Sequence, residues 1–490
     1  MPLLPHPVAS LRLFGFPSRR ADIACSILLL VLLLTSRIAA FPASIWEQDE
    51  AYFAAAVSHF DPASLRPHPP WFPLFVVLGK LVHLVGVGPA TSLQLVSLAA
   101  SVWIVFPLTA LWSTVVPRRL AVASAVLFSI APGPWLLAGR AFCGTTATAL
   151  LTASLAFWLS AGGRRSWLIA GSSVAALATL VRPQLLPAVV GGAIVIGHRL
   201  PAADRRSMAV ALIAPLVLGA VILTSVAGGV APLWTAAHDH AVTHFSHLDD
   251  ASFGFVQSGL SRCLGHPTIA LGWLSLVGVG IARLVRTGRW AAASPVVVGI
   301  LLPLLIVVYG LSNPAHARYA IPLLAFTSGF VVEGINAIFR TWSAIVIGAV
   351  AAVAIAVIVP QLAAARMHLS PPVAALEDAV IEAARRDDVL IVDRTLHPFW
   401  LVREIERPID VTVVFDSVLD LSSTEWPTGA DWIAVIDETR VLLPPGVTVL
   451  RRFTTTSFLL RTLAQDRFLD VAVVTGVNTG KGPELDECGP

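Results

Sequence analysis

Charge is what this 490-residue sequence has least of. Asp, Glu, Lys and Arg make up 13% of it, about half the share of a soluble domain. That scarcity excludes a water-soluble globular protein. Hydrophobic residues make up 56%, and the mean hydropathy is +0.78. The apolar residues come in long runs, not in short alternating segments, which excludes a membrane β-barrel. The net charge of +3 is small and its basic residues sit in short clusters, so nucleic-acid binding is excluded as well. Four cysteines, Cys25, Cys143, Cys263 and Cys488, are too few for a disulfide framework. No solenoid-type repeat is present. The C-terminal stretch VVTGVNTGKGPELDECGP looks like a phosphate loop, but its G-x-x-x-G-K-G spacing is wrong and no Ser or Thr follows the Lys.

What remains is a polytopic α-helical membrane protein. At the N-terminus, Arg12, Arg19 and Arg20 precede the apolar run Ile23–Leu34, and RIAAF offers the small residues of a signal-peptidase site. An uncleaved first span is the preferred reading, because the loop that follows makes most sense anchored at both ends.

Arginines set the threading through the positive-inside rule. Cytoplasmic clusters are read at Arg19-Arg20, Arg118-Arg119, Arg164-Arg165, Arg199 to Arg206, Arg283 to Arg289, and Arg340. Between neighbouring clusters the number of crossings must be even. Between Arg20 and Arg118 there are three apolar segments, at about 22–42, 71–87 and 91–114. The middle one, WFPLFVVLGKLVHLVG, holds Pro73, Gly79, Lys80 and His83 and is short for a span of about 20 residues. It is read as an interfacial helix, which makes 44–90 one long outer loop. Further spans follow at about 120–138, 145–161, 166–181, 184–198, 208–228, 268–283, 290–310, 319–338 and 342–362, about eleven in all.

From about residue 366 the pattern changes. VLIVD (389–393), VTVVF (411–415) and WIAVID (432–437) are strand-like, with helical stretches between and before them. The expected organisation is a transmembrane domain over 1–365, a small extracytoplasmic α/β domain over 366–465, and a flexible tail over 466–490.

The unusual polar residues lie in the outer loops. WEQDEAYFAAAV (46–57) carries the adjacent pair Asp49-Glu50 at the start of an amphipathic stretch. A carboxylate partly desolvated near a bilayer surface can serve as a base or a metal ligand. His68-Pro69-Pro70-Trp71 follows as a rigid turn. In WTAAHDHAVTHFSHLDD, His240, His244 and His247 share one helical face, a zinc-compatible spacing; the alternative is an interfacial helix whose histidines face headgroups or substrate. Cys143 and Cys263 both fall in outer loops, on the side where a disulfide can form.

An Asp-Glu pair in the first outer loop followed by HPP before an apolar helix resembles the GT-C superfamily of glycosyltransferases. The nearest branch is family 39, that of protein O-mannosyltransferases and lipid A aminoarabinose transferases. APGPWLLAGRAF (131–142), LVRPQLLP (180–187) and HARYAIPLL (316–324) resemble further family elements in the same order, over roughly residues 20–340. The resemblance implies inverting transfer of a hexose or pentose from a polyprenyl-phosphate carrier to an extracytoplasmic acceptor, which could be lipid, glycan or protein. It places the protein in a bacterial inner membrane among membrane lipids. Asp49 becomes the base and Glu50 its support. His68, Arg140, Arg182, Arg318 and Tyr319 become substrate-binding residues, the arginines because a planar guanidinium suits a phosphate. One departure stands out. Many relatives carry an acidic residue after the Gly-Arg, whereas Arg140-Ala141-Phe142-Cys143-Gly144-Thr145-Thr146 has none. That removes a metal ligand, so no cofactor is expected and a divalent metal would need other donors. The rival reading is a transporter or flippase, which would keep its charges near the bilayer midplane. A non-catalytic scaffold that docks partners on the outer domain is a third.

Overall fold

The computed structural model describes residues 19–64, 66–246, 258–310, 316–367, 369–386, 388–392, 396–406, 413–415, 431–437, 448–454 and 470–477. The apolar runs become helices, several of them opened by a proline whose missing N–H costs nothing there. Helix α1 (Arg19–Ala39) leads into two short helices, α2 (Gln48–Ser58) and α3 (Pro73–His83). Next come α4 (Pro89–Trp103) and α5 (Val105–Ser113), which meet at Ile104, then α6 (Arg118–Ile130) and the one-turn α7 (Pro132–Leu136). The bundle continues through α8 (Cys143–Leu159), α9 (Arg165–Val181), α10 (Leu186–Gly197) and α11 (Ala202–Val226). After α12 (Val230–Ser246) and α13 (Gly259–Leu264) come α14 (Pro267–Arg286) and α15 (Trp290–Ser294). A π-helical stretch, Pro295–Leu301, joins α15 to α16 (Leu302–Gly310); α17 (Ala317–Phe339) and α18 (Ser343–Met367) complete the series.

Among the described residues, six segments are long and apolar enough to cross a membrane: Asp22–Ala39, Pro89–Ser113, Ala202–Val226, Pro267–Arg286, Trp290–Val308 and Ala317–Ala356. Helices α8, α9 and α10 are apolar but shorter. Burial separates two kinds of helix. Helix α8 is buried nearly all round and forms the centre of the bundle, whereas α1 and α11 expose Ile, Leu and Val side chains, as lipid-facing helices do.

Between helices in lipid there is no hydrophobic drive, so close backbone approach carries the packing. Helices α14 and α17 show this. A Cβ on Gly280 would lie 2.0 Å from the Phe330 carbonyl oxygen, and one on Gly334 would lie 2.3 Å from that of Leu276. An ion cluster closes the same pair at its far end. Fully buried Glu333 of α17 meets Arg283 Nε at 2.9 Å and Arg289 Nη2 at 3.5 Å. A buried carboxylate is tolerated only with such partners.

The C-terminal region pairs α19 (Pro371–Arg386) and α20 (His397–Glu406) with a five-stranded sheet: β1 (Val389–Val392), β2 (Val413–Phe415), β3 (Asp431–Asp437), β4 (Thr448–Thr454) and β5 (Asp470–Val477). The strand order is β2-β1-β3-β5-β4, with β1 parallel to β2 and β3, and β5 antiparallel to β3 and β4. One boundary read from the sequence is corrected. The domain does not end near 465, because β5 lies inside the sheet. Its run VAVV alternates between the two faces, Val471 and Val473 on one and Ala472 and Val474 on the other, all fully buried. A central strand covered on both sides needs such a run. Residues 478–490, Cys488 included, lie outside the described residues.

This domain rests on α2. Ile45, Ala51 and Ala54 share a core with Leu376, Phe399 and Trp400. Ser370 Oγ donates to the Ile45 carbonyl at 2.6 Å, and the Ser370 N–H donates to Ser44 Oγ at 2.8 Å.

Helix α3 has eleven residues, about 16 Å at 1.5 Å per residue, against a hydrocarbon core of about 30 Å. Residues 44–90 are therefore expected to stay on one side of the membrane. In a background lacking the native cysteines, a cysteine at Val87 or Gly88 should react with an impermeant reagent from outside intact cells. Labelling only after permeabilisation would refute this threading.

Candidate active site

Helix α2 and its N-cap carry three carboxylates, Glu47, Asp49 and Glu50. Glu50 reaches back to its own N-terminus, where its Oε2 accepts from the Trp46 N–H (2.8 Å) and the Glu47 N–H (3.1 Å). This is the capping-box geometry. The same carboxylate takes Arg140 Nε on both oxygens at 2.9 Å, a further bond from Arg140 Nη2, and the Ala141 N–H at 2.8 Å. Glu50 is fully buried and Arg140 is 4% exposed. Glu50 is thus saturated by donors and serves as a joint between α2 and the loop before α8.

The other two carboxylates face Arg318 at the start of α17. Arg318 Nη1 donates to Glu47 Oε2 at 3.0 Å, and Arg318 Nη2 lies 2.5 Å from Asp49 Oδ2. Glu47 also lies 3.6 Å from Arg140 Nη2. Burial pushes the Glu47 carboxyl up to about 7; Arg318 and Arg140 pull it down, and Glu50 and Asp49 add to the rise. Asp49 goes the other way. Burial works to raise it, but Arg318, with His68 and His316, more than offsets that and holds the carboxyl well below the usual carboxylate range.

Aromatic faces fix the arginines. The Arg318 guanidinium carbon stands 4.9 Å from the Phe142 ring centroid and 5.5 Å from that of Tyr319. Arg182 follows α9 and stands 4.7 Å over the same Tyr319 ring. Arg182 is 4% exposed and has no carboxylate partner among the described residues. The sharp turn after His68-Pro69-Pro70 brings His68 Nδ1 within 4.0 Å of Asp49. Trp71 (φ 67°) and Phe72 (φ 47°) both occupy the left-handed region, a strain of order 1–3 kcal/mol each. Two contacts offset it: Trp71 Nε1 donates to the Pro62 carbonyl at 3.0 Å, and Phe72 packs edge-on against Phe53 at 4.9 Å.

The structure therefore brings Asp49, Glu50, His68, Arg140, Arg182, Arg318 and Tyr319 together. His240 of α12 also arrives, its ring 5.3 Å from that of His68. His244 lies on α12, and His247 is outside the described residues. No group of three His, Cys, Asp or Glu suited to a metal ion occurs among the described residues. The carboxylates present do not fit a divalent cation, because each already carries an arginine. The disulfide considered for Cys143 and Cys263 does not form: both are free and buried. Cys143 opens α8, whereas Cys263 packs its sulfur against Gly133 beside α7.

Sequence reading passed over Glu47 and His316. Glu47 had a signal in its E-x-x-E spacing to Glu50. His316, within HARY, stands just before α17 with its ring 5.4 Å from Tyr319.

No family model matches this sequence, and no curated protein matches it. Solved structures do. ArnT from Cupriavidus metallidurans bound to undecaprenyl phosphate aligns over 95% of this chain and 100% of its own, with 14% identity and a TM-score of 0.53. The Archaeoglobus fulgidus oligosaccharyltransferase tethered with an acceptor peptide aligns over 80% of this chain at 12% identity, TM-score 0.51. The chain has the GT-C fold. It spans 64% of the oligosaccharyltransferase chain. At these identities the likeness is one of fold. Within that GT-C fold the cluster of arginines and carboxylates sits where α2, α8, α9 and α17 converge.

Glu50→Gln is expected to leave Arg140 short of its charge partner in a buried setting, a loss of about 3–5 kcal/mol. The melting temperature of the detergent-purified protein should fall by several degrees. An unchanged melt would show that the pair does not hold α2 in place.

Proposed function

We propose that the protein transfers a sugar from a polyprenyl-phosphate carrier to an acceptor on the outer side of the membrane. The observation that carries this reading is the meeting of an ionised aspartate, Asp49, with Arg318 and the carboxylate-free Arg182 at one end of a GT-C bundle. The fold neighbours support it: one was solved bound to undecaprenyl phosphate, another tethered to an acceptor peptide.

The step balances as follows. An acceptor hydroxyl attacks the anomeric carbon from the face opposite the phosphate. The bond from that carbon to the phosphate oxygen breaks, the phosphate leaves on its lipid with the bonding pair, and the acceptor proton passes to Asp49. One base suffices for this inversion, unlike the two carboxylates of a glycosidase. Phosphate charge grows from about −1 as a diester toward −2 as a monoester, so cations are worth most late in the reaction.

Arg318 sets the resting state of Asp49. With no donor present, it keeps the carboxylate ionised, ready to accept a proton. An arriving phosphate brings negative charge close by, which disfavours the ionised carboxylate and makes Asp49 a stronger base while Arg318 still holds it. Glu47 adds a second coupling, because a neutral Glu47 repels the phosphate less than an ionised one.

Asp49→Asn should keep expression and donor binding and lose about 10²–10⁴-fold in transfer from a defined polyprenyl-phosphate sugar. Activity within a few-fold of wild type would move the base elsewhere. Wild-type affinity for polyprenyl phosphate should fall as pH rises through about 7, where Glu47 ionises among Asp49, Glu50, Arg140 and Arg318. Glu47→Gln should flatten that fall. An unaltered pH profile in the variant would assign the dependence to the phosphate itself.

A further inference from the structure

The arginines of the site are not equivalent. Arg140 is taken by Glu50 and Glu47, and Arg318 by Glu47 and Asp49. Arg182 makes one long hydrogen bond among the described residues, Nη1 to the Arg318 carbonyl at 3.4 Å. Its guanidinium lies against the first turn of α8. A Cβ on Gly144 would stand 2.8 Å from Arg182 Nη1 and 3.5 Å from the Arg318 carbonyl, so the glycine leaves room for the cation beside the helix backbone.

That first turn combines open amides with buried hydroxyls. Helix α8 runs for 17 residues, no side chain caps its N-terminus, and its first turn holds no acidic residue. The opening amides of a helix have no intrahelical acceptor, and the aligned peptide dipoles put positive potential there. Thr145 and Thr146 stand in the same turn, 2% and 6% exposed, and both hydroxyls lack a hydrogen-bond partner among the described residues. Leaving a buried hydroxyl unmade costs about 1–3 kcal/mol each, which a protein tolerates where a ligand completes the bond. The start of α17 lies alongside, also without a side-chain cap.

We infer that the first turn of α8, with the Thr145 and Thr146 hydroxyls and the Arg182 guanidinium, is the seat of the carrier's phosphate. The inference rests on the transfer reading above and makes that reading specific. Arg318 holds Asp49, and Arg182 with the α8 amides and hydroxyls takes the phosphate oxygens. The missing carboxylate of the sequence 140–146 then has a consequence: a negative charge in this turn would fill the seat that the phosphate needs.

The test measures binding of undecaprenyl phosphate and of undecaprenol to the full-length protein in detergent. Wild type should prefer the phosphate by at least about tenfold, and Thr145→Val/Thr146→Val should lose most of that preference, since a hydrogen bond to a charged group is worth about that factor or more. Arg182→Gln should lose it too. Undecaprenol binding should not change in any variant. Thr145→Ser/Thr146→Ser, which restores the hydroxyls, should recover the preference; this arm and Arg182→Gln decide the matter where the Val variant folds poorly. If the Val and Gln variants keep the preference while Arg318→Ala loses it, the seat is elsewhere and the inference falls. Displacement of undecaprenyl phosphate by equimolar phosphatidylglycerol would assign the turn to a headgroup and overturn it as well. A wild-type protein with no preference for the phosphate would instead undo the transfer reading itself.

Discussion

The buried pair of Glu50 and Arg140 is the joint on which the site hangs. Removing two charges from water costs several kcal/mol per ion, and only excellent geometry returns it. Here the carboxylate is met by a fork of arginine nitrogens and by three backbone amides, from Trp46, Glu47 and Ala141. The same group caps α2 and ties it to the loop that leads into α8. Every other charge is placed relative to that joint. Asp49 is the residue beside the clamp, Glu47 is three before it, and Arg318 bridges both. The clamp also saturates Glu50, which leaves Asp49 as the carboxylate of the pair free to accept a proton.

Charge balance sets where the proposed phosphate seat can lie. Three arginines face three carboxylates, but not one to one. Two arginines share all three acids, and Arg182 is left with an aromatic face and a long backbone contact. The positive helix ends beside it add potential without adding a side chain that an acid could neutralise. A centre built this way is near neutral when empty and has one place where an anion lowers the energy. Glu47, with its carboxyl near 7, can take up a proton when more negative charge enters. A transporter reading sits poorly with this arrangement, because the charged groups lie at the ends of the helices: this cluster at one, and Glu333 with its arginines at the other.

Much of the site was legible because polar residues are rare in this chain, so those in loops between apolar runs stand out. Asp49 stands out that way, whereas Arg140, Arg182, Arg318 and Tyr319 were named through the resemblance of their motifs to the glycosyltransferase elements. Glu47 offered only its E-x-x-E spacing to Glu50, since its part depends on an arginine 271 positions away, a contact no local pattern shows. Thr145 and Thr146 read as ordinary residues of an apolar helix, and only their unpartnered hydroxyls in the folded bundle mark them. Helices were easier than their breaks: Ile104 divides one apolar run, and a π-helical stretch joins α15 to α16. Strand β5 was missed because its partners, β3 and β4, precede it by long connections and the glycine-rich sequence that begins at Gly476 suggested a tail.

The least local feature is the position of α2 between two bodies. Phe53 and Val57 follow Glu50 at helical spacing and pack into the transmembrane core. Ala51 and Ala54 form the neighbouring stripe and pack into the core of the C-terminal domain. Alanine is the side chain that lets a helix be buried on both stripes at once, which accounts for a run that looks merely interfacial in sequence. The domain thus supplies one wall of the cradle that fixes α2, although none of its described residues pairs with Asp49, Arg182 or Arg318. Any shift of that wall is passed to Asp49 through the rigid first turn that Glu50 caps. The domain's bearing on the site is therefore mechanical, through packing against the helix that carries Asp49.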